Sequence, residues 1–586
     1  MTETQAAEAS PDEPAETTPD VDPAEPPAAK AADEPAKRPD WWVRHYTFTG
    51  TAVGLVFLWL SMTPSLLPRG PLFQGIVSGI AGAIGYGLGV FAVWLVKFMR
   101  SKDTSPPAPK AAWLALVIVG IAGTVGMVWW FHVWQDHVRD MVQVPRLAWH
   151  AYPLAGVLSI VVLFVLVEIG QLIGKFILFL ERQLNRIAPR RVSAVIAALL
   201  VAALFIAILN GVVARYGMRS LNSTFAAVND EENPDNPPPT SVNRSGGPGS
   251  TVKWEDLGNQ GRTFVANGPT VEELSKFNGG AAAKEPIRAY AGLHSAPNIE
   301  AIADKAVEEL DRMHAFDRAV IAVATTTGTG WINEAEAETV EYMYNGNTAI
   351  VSIQYSFLPS WLSFIVDKEK ARQAGVALFE AVSAKVRAIP EDHRPKLVVF
   401  GESLGSFGGE APFLSVNNIL ARTDGALFSG PTFQNTMWLE ATHDRDPGSP
   451  EWLPIYDGGR NVRFVAIKED LDRPGPWPDT DQYRPKVVYL QHASDPIAWW
   501  NPNLVFEKPD WLREAPGYDR PKDMFWIPIV TFLQVSADMA VAVDVPDGHG
   551  HRYVRNVVDA WAAILNPPGW TPQKTKDLRE IVKAPE

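Results

Sequence analysis

Cysteine is absent from this 586-residue chain, which excludes disulfides, thiolate nucleophiles and zinc sites built on sulfur. Aliphatic and aromatic residues are nearly missing from residues 1–40. That stretch of Pro, Ala, Glu and Asp cannot bury enough apolar surface to offset chain entropy, so it is expected to be a disordered tail. It also lacks the short basic start and apolar core of a secretory signal. Positive charge is in deficit: 52 Lys and Arg stand against 66 Asp and Glu, a net charge of −14, which argues against a nucleic-acid partner.

What the chain has in quantity is apolar sequence in long blocks. Phe48 to Leu67, Leu72 to Phe98, Ala112 to Trp134, Leu154 to Leu180 and Val192 to Val213 are each long enough to cross roughly 30 Å of hydrocarbon as a helix. These five spans predict a transmembrane helical domain over 41–219. Lys and Arg cluster at one end of the spans: Arg38 and Arg44, then Lys97, Arg100, Lys102 and Lys110, then Lys175, Arg182, Arg186, Arg190 and Arg191. The other end has Arg69, Arg139, Arg146, Arg215 and Arg219. The positive-inside rule therefore predicts a cytoplasmic tail and an exported chain after residue 213. Gly75, Gly79, Gly82, Gly85 and Gly89 give the second span a small-residue face for close helix packing. Glu168, with Gln171 one turn later, is an intramembrane carboxylate, read either as a functional group or as an interhelical hydrogen-bonding acid. Trp129, Trp130, Trp134 and Trp149 surround one end of the third span as interface anchors would.

Residues 220–262, dense in Asn, Pro, Ser and Gly, read as a linker or irregular connection. From 263 to 586 the texture becomes that of an alternating α/β domain. Short β-branched runs at Arg318 to Ala324, Ala349 to Tyr355, Leu397 to Phe400, Gly425 to Ser429, Val462 to Ile467 and Lys486 to Leu490 alternate with helix-length segments such as Ile299 to Met313 and Arg372 to Ile389. That alternation predicts a mostly parallel sheet with helices on both faces and a site at the carboxyl ends of the strands.

Gly401-Glu402-Ser403-Leu404-Gly405 follows one of these runs in the layout of a nucleophile elbow, where a tight strand-to-helix turn needs glycines around an exposed serine. A serine nucleophile needs a base to take its proton and an acid to orient that base. Asp495, in the turn leaving the last predicted strand, is the best-placed acid; Asp457, Asp470 and Asp481 lie in polar Pro/Gly-rich segments. For the base, Gly548-His549-Gly550-His551 offers two imidazoles, with His549 favoured and His551 open, while His492 reads as a supporting or surface residue. The oxyanion would be met by the N–H of Leu404 and by a second donor at Thr327 or Gly328, in a loop that lacks the lysine of a phosphate-binding loop. No cofactor or metal is expected.

Ser61-Met62-Thr63-Pro64-Ser65-Leu66-Leu67-Pro68-Arg69, Thr327-Gly328-Thr329-Gly330-Trp331, Gln354-Tyr355-Ser356-Phe357-Leu358-Pro359-Ser360-Trp361, the elbow and Gly548-His549-Gly550-His551 together form a combination that resembles a family of actinobacterial membrane proteins. In that family a polytopic N-terminal region is fused to an α/β-hydrolase domain. The resemblance covers nearly all of the chain after residue 40 and implies a membrane-bound serine hydrolase.

Trp499, Trp500, Phe506, Trp511, Phe525 and Trp526, together with Phe357 to Leu362, would border the mouth of the site and suggest an apolar acyl channel or lid. The expected function is an esterase or lipase acting on a lipid or acylated envelope component. Acyl transfer by the same triad, a non-catalytic membrane scaffold and a transporter bundle coupled through Glu168 stand as alternatives. The sequence leaves the oligomeric state open.

Overall fold

Residues 45–100, 108–208, 210–211, 214–475, 477 and 483–583 are described in this computed structural model. The expected tail and Arg38, Arg44, Lys102, Val213 and Asp481 lie outside them.

The N-terminal part is helical: α1 (Phe48–Leu60), α2 (Pro71–Arg100), α3 (Lys110–Met141), α4 (Ala151–Leu184) and α5 (Arg190–Ile208). Four of these, α2 to α5, are long and apolar enough to cross a membrane. The first expected span differs. Its helix is 13 residues long, a rise of roughly 20 Å against the roughly 30 Å of a hydrocarbon core. Proline disfavours helical conformation in the residue before it, so the chain leaves the helix ahead of Pro64. Ser61 to Leu67 then runs as buried coil.

Glycine sets the helix spacing. A Cβ on Gly79 would stand 2.5 Å from Val162 Cβ in α4, and one on Gly85 would stand 2.7 Å from Phe57 Cβ in α1. Such contacts pair α2 in parallel with α4 (Gly75 on Leu158, Gly79 on Val162) and antiparallel with α1 (Gly85 on Phe57, Gly89 on Gly50). Glu168 and Gln171 sit half-buried in α4.

The C-terminal part holds a sheet of seven strands, all paired in parallel, in the order β1-β3-β2-β4-β5-β7-β6. The strands are β1 (Ile287–Ala291), β2 (Val320–Ala324), β3 (Thr348–Ile353), β4 (Lys396–Glu402), β5 (Gly425–Ser429), β6 (Val462–Val465) and β7 (Val487–Leu490). Almost every strand residue is buried, as expected for a parallel sheet covered on both faces. The Ile299–Arg312 and Lys368–Ala388 helices pack together, and Glu334–Met343 packs with Val557–Leu565. Strand order reverses between β2 and β4, and that switch point puts a crevice beyond their carboxyl ends.

Of the 220–262 stretch, residues up to Asp230 belong to the Ala214–Asp230 helix, and the segment around Arg244 packs on the sheet edge. Arg244 bridges Arg288 of β1 in parallel, and Ser245 donates to Glu309 at 2.9 Å. The expected boundary at 262/263 falls inside the Gly258–Ala266 helix.

The bundle and the sheet domain meet through the coil after α1. Asp538, at the end of the Val530–Asp538 helix, accepts from the backbone N–H of Leu66 (3.0 Å) and Leu67 (3.3 Å) and from the Ser65 hydroxyl. Arg69 stands 3.8 Å from the same carboxylate, with both side chains fully buried. Gln534, one turn earlier, donates to the Thr63 carbonyl at 2.8 Å.

Candidate active site

Strand β4 delivers Ser403 to the crevice. Ser403 takes φ 57° and ψ −121°, a left-handed conformation that side chains rarely adopt, and the helix Leu404–Glu410 begins at the next residue. Both flanking glycines are sterically required. A Cβ on Gly401 would lie 2.6 Å from the Gly405 carbonyl, and one on Gly405 would lie 2.3 Å from Thr325 O. The Ser403 N–H donates to Ser429 O of β5 at 2.8 Å, which ties the elbow to the neighbouring strand.

Asp495 follows β7 and caps the short Pro496–Trp499 helix, accepting from Ile497 N at 2.8 Å through Oδ1. Its other oxygen lies 2.7 Å from His551 Nδ1 and accepts the Tyr553 hydroxyl at 2.6 Å. Of the two candidate imidazoles, it is His551 that meets Asp495. His549, favoured on sequence, turns to Asp519 at 3.3 Å instead. The reason is the brace beneath the loop. Asp519 accepts from Ser494 N and from the Ser494 hydroxyl, whose oxygen in turn accepts the Gly550 N–H at 2.8 Å, so each ring is committed to its own acid. The His551 ring packs on the end of β5, where a Cβ on Gly430 would stand 2.5 Å from His551 Cε1. Its Nε2 is buried and has no hydrogen-bond partner among the described residues. Burial opposes a charged ring, but Asp495 and Glu402 outweigh it and hold His551 above the usual histidine range. His492 is buried, stacked on Tyr553 at 4.3 Å, with Nδ1 on Gly550 O at 2.9 Å.

Leu404 opens the elbow helix, so its N–H has no acceptor within that helix. The Thr327 N–H donates to Trp331 O at 3.0 Å, which removes it as an oxyanion donor in this conformation. Gly328 packs against the backbone of Leu358, where a Cβ would lie 2.5 Å from the carbonyl oxygen.

Ser403 and Leu404 line a small cavity of about 30 Å³, whose other walls include Phe364, Phe433, Trp500 and Met539. Phe433 stands edge-on to both Phe364 and Trp500, with centroids 5.7 and 5.5 Å away. Of the aromatics expected at the mouth, Trp361 and Trp500 line this cavity, Trp499 and Trp511 are core residues, Trp526 is half-buried, and Phe506 and Phe525 are exposed.

Residues 287–578 match the alpha/beta-hydrolase family, and residues 62–269 match the N-terminal region described for the same family. The chain belongs to the alpha/beta-hydrolase family. It matches no curated protein and no solved structure.

Three groups in this alpha/beta-hydrolase escape a reading of sequence alone. Tyr553 shares the Asp495 carboxylate; its place two residues after His551 is the one local hint. Glu402 lies behind the elbow, where Asn333 donates to it at 2.6 Å and burial pushes its carboxyl up to about 7. Glu336 accepts from the Ser429 hydroxyl, and burial together with Glu402 holds it well above the usual carboxylate range. Asn333 is legible as the cap of the Glu334–Met343 helix, accepting from Ala335 N at 2.9 Å, but not as the group that bridges Glu402 and the Tyr553 carbonyl.

Proposed function

We propose that this alpha/beta-hydrolase is a membrane-anchored serine esterase acting on a lipid or acylated envelope component. The observation that carries the reading is the Asp495–His551 pair at 2.7 Å, with a partnerless Nε2, set over the strand end beside the strained Ser403 elbow. Ser403 attacks the ester carbonyl while His551 takes its proton and later returns it to the leaving alcohol. Asp495 fixes the tautomer and offsets the imidazolium charge. Leu404 N–H and the Gly328 backbone N–H hold the oxyanion. Water then releases the acid. With a sugar or lipid hydroxyl in place of water, the same steps transfer the acyl group, and product analysis with such an acceptor present separates the two outcomes.

The aromatic lining of the Ser403 cavity favours an acyl chain over a polar substituent. The bundle would carry the domain on the exported face, with α1 as a short fifth crossing. In support, Lys97, Arg100, Arg182 and Arg186 end α2 and α4 or follow them directly, away from the Ser61–Gly70 coil that meets the domain. Protease cleavage after residue 213 in intact spheroplasts tests this orientation, and full protection reverses it.

A fluorophosphonate probe tests the chemistry. The full-length protein should label, and Ser403→Ala and His551→Ala should not. A folded wild-type protein that never labels would instead be a scaffold with a hydrolase fold.

A further inference from the structure

We infer that the Ser360–Val366 helix is seated in the acyl-chain layer of the bilayer that holds α2 to α5, and that the acyl ester reaches Ser403 sideways from that layer. The inference deepens the esterase reading and rests on it for the identity of the substrate.

The helix has two unlike faces. Leu362 and Ser363 are buried against the domain, whereas Trp361 and Ile365, one turn apart, are 55% and 69% exposed, with Val366 beside them at 42%. Exposing three large apolar side chains within six residues is costly in water and is usual where such a face meets lipid. Trp361 also lines the Ser403 cavity, so this apolar face continues directly into the site.

What covers the face follows from the rest of the cavity wall. Met539 and Trp500 line the same cavity. Met539 directly follows Asp538, the residue on which Ser65, Leu66 and Leu67 converge, and Trp500 donates to Ser536 of the same helix at 2.8 Å. One small cavity therefore separates the exposed helix from the point where the domain is fixed to the bundle. At that same end of the bundle Trp149, in the α3–α4 connection, is 81% exposed, as an interfacial anchor would be. An apolar face this close to the interface is continuous with the lipid surrounding the chain's own helices. A lipid ester can then pass from acyl layer to cavity without its chain entering water.

The chain has no cysteine, so Ile365→Cys gives a single labelling site in the full-length protein. A nitrobenzoxadiazole label at 365 in phosphatidylcholine nanodiscs should be quenched by doxyl groups on the lipid acyl chains and shielded from aqueous iodide. Leu199→Cys, on the exposed face of α5, sets the lipid reference. Asp392→Cys sets the water reference, because it precedes β4 at the sheet edge opposite Ser403. A label at 365 that behaves like the one at 392, or that is shielded from both quenchers as beneath a protein partner, overturns the inference. Ile365→Asp should lower hydrolysis of a bilayer-embedded ester about tenfold, matching the loss of one buried aliphatic side chain. It should leave hydrolysis of a short water-soluble ester within about twofold, since Ile365 does not line the cavity. The two readings fail differently. If the esterase reading is wrong, neither ester turns over in the wild type while lipid quenching at 365 persists; if only the membrane seating is wrong, both esters turn over and the quenching is absent.

Discussion

His551 Nδ1 lies 2.7 Å from Asp495 Oδ2, while His549, two residues earlier, is held by Asp519. Two imidazoles of one glycine-bracketed loop are thus paired with different acids, and the His551 ring packs on Gly430, the residue after Ser429, whose carbonyl accepts the Ser403 N–H. His551→Ala should abolish probe labelling and lower ester turnover by about 10³-fold or more. His549→Ala should lower it only severalfold, through loosening of the loop that Asp519 braces. Turnover rates of the two variants on one soluble ester check this, and equal losses would undo the assignment.

Tyr553 donates to the same Asp495 oxygen at 2.6 Å. Tyr553→Phe leaves the ring stacked on His492 and removes the donor to Asp495 together with the acceptor of the His492 N–H at 3.2 Å. The expected cost is about 1 kcal/mol of stability and a fall in kcat with little change in KM, because the hydroxyl acts on the acid that orients the base. A thermal melt and a saturation curve give both readouts.

Much of this architecture is legible in the chain, and the exceptions share a physical cause. Six of the seven strands announce themselves as β-branched or apolar runs, but β1 does not, because Ile287 is its one β-branched residue and Arg288 follows it directly. In the fold that arginine is fully buried and forks onto Glu341 at 2.8 and 2.7 Å, so a core ion pair reads in sequence like a polar loop. The elbow is readable because its sterics are local: Gly401, Ser403 and Gly405 crowd one another and Thr325. The choice between His549 and His551 is not readable, since it depends on Asp519, some thirty positions away. Ser61 to Leu67 is apolar enough to extend a membrane span, and composition alone cannot distinguish burial in lipid from burial against the helix that ends at Asp538.

Glu402 gives the site a distinctive pH response. Its carboxylate is one of the charges that raise His551, and the base acts only when neutral, so the acid limb of kcat/KM should lie above pH 6.5. Glu402→Gln removes that charge and should move the limb to lower pH. Stability follows the opposite limb. A carboxyl raised from 4.5 to about 7 in the folded state contributes stability that is fully present below pH 4.5 and is lost as pH rises through 7. Glu402→Gln should therefore flatten the decline in melting temperature between pH 5 and pH 8. Melting curves and rate profiles across that range test both signs, and a limb that stays in place separates Glu402 from the base.

Arg69 and Asp538 join the two parts of the chain as a fully buried pair, and removing either partner alone leaves the other charge stranded. The guanidinium is fully buried, donates to the Thr63 carbonyl at 3.1 Å and stands 3.8 Å from the Asp538 carboxylate. Asp538→Ala strands that charge and also leaves the Leu66 and Leu67 N–H groups unmet, for an expected loss of about 3–5 kcal/mol. Replacing the pair together, as Arg69→Met with Asp538→Leu, removes the stranded charge and should recover part of that loss. The double variant still lacks the acceptor that seats Leu66 and Leu67, so Met539 and the cavity wall should loosen even where the melting temperature recovers. Its expected signature is partly recovered stability with a raised KM for long-chain esters and an unchanged KM for short ones. A double variant that regains stability and long-chain KM together would make the coil a simple anchor with no part in shaping the acyl site.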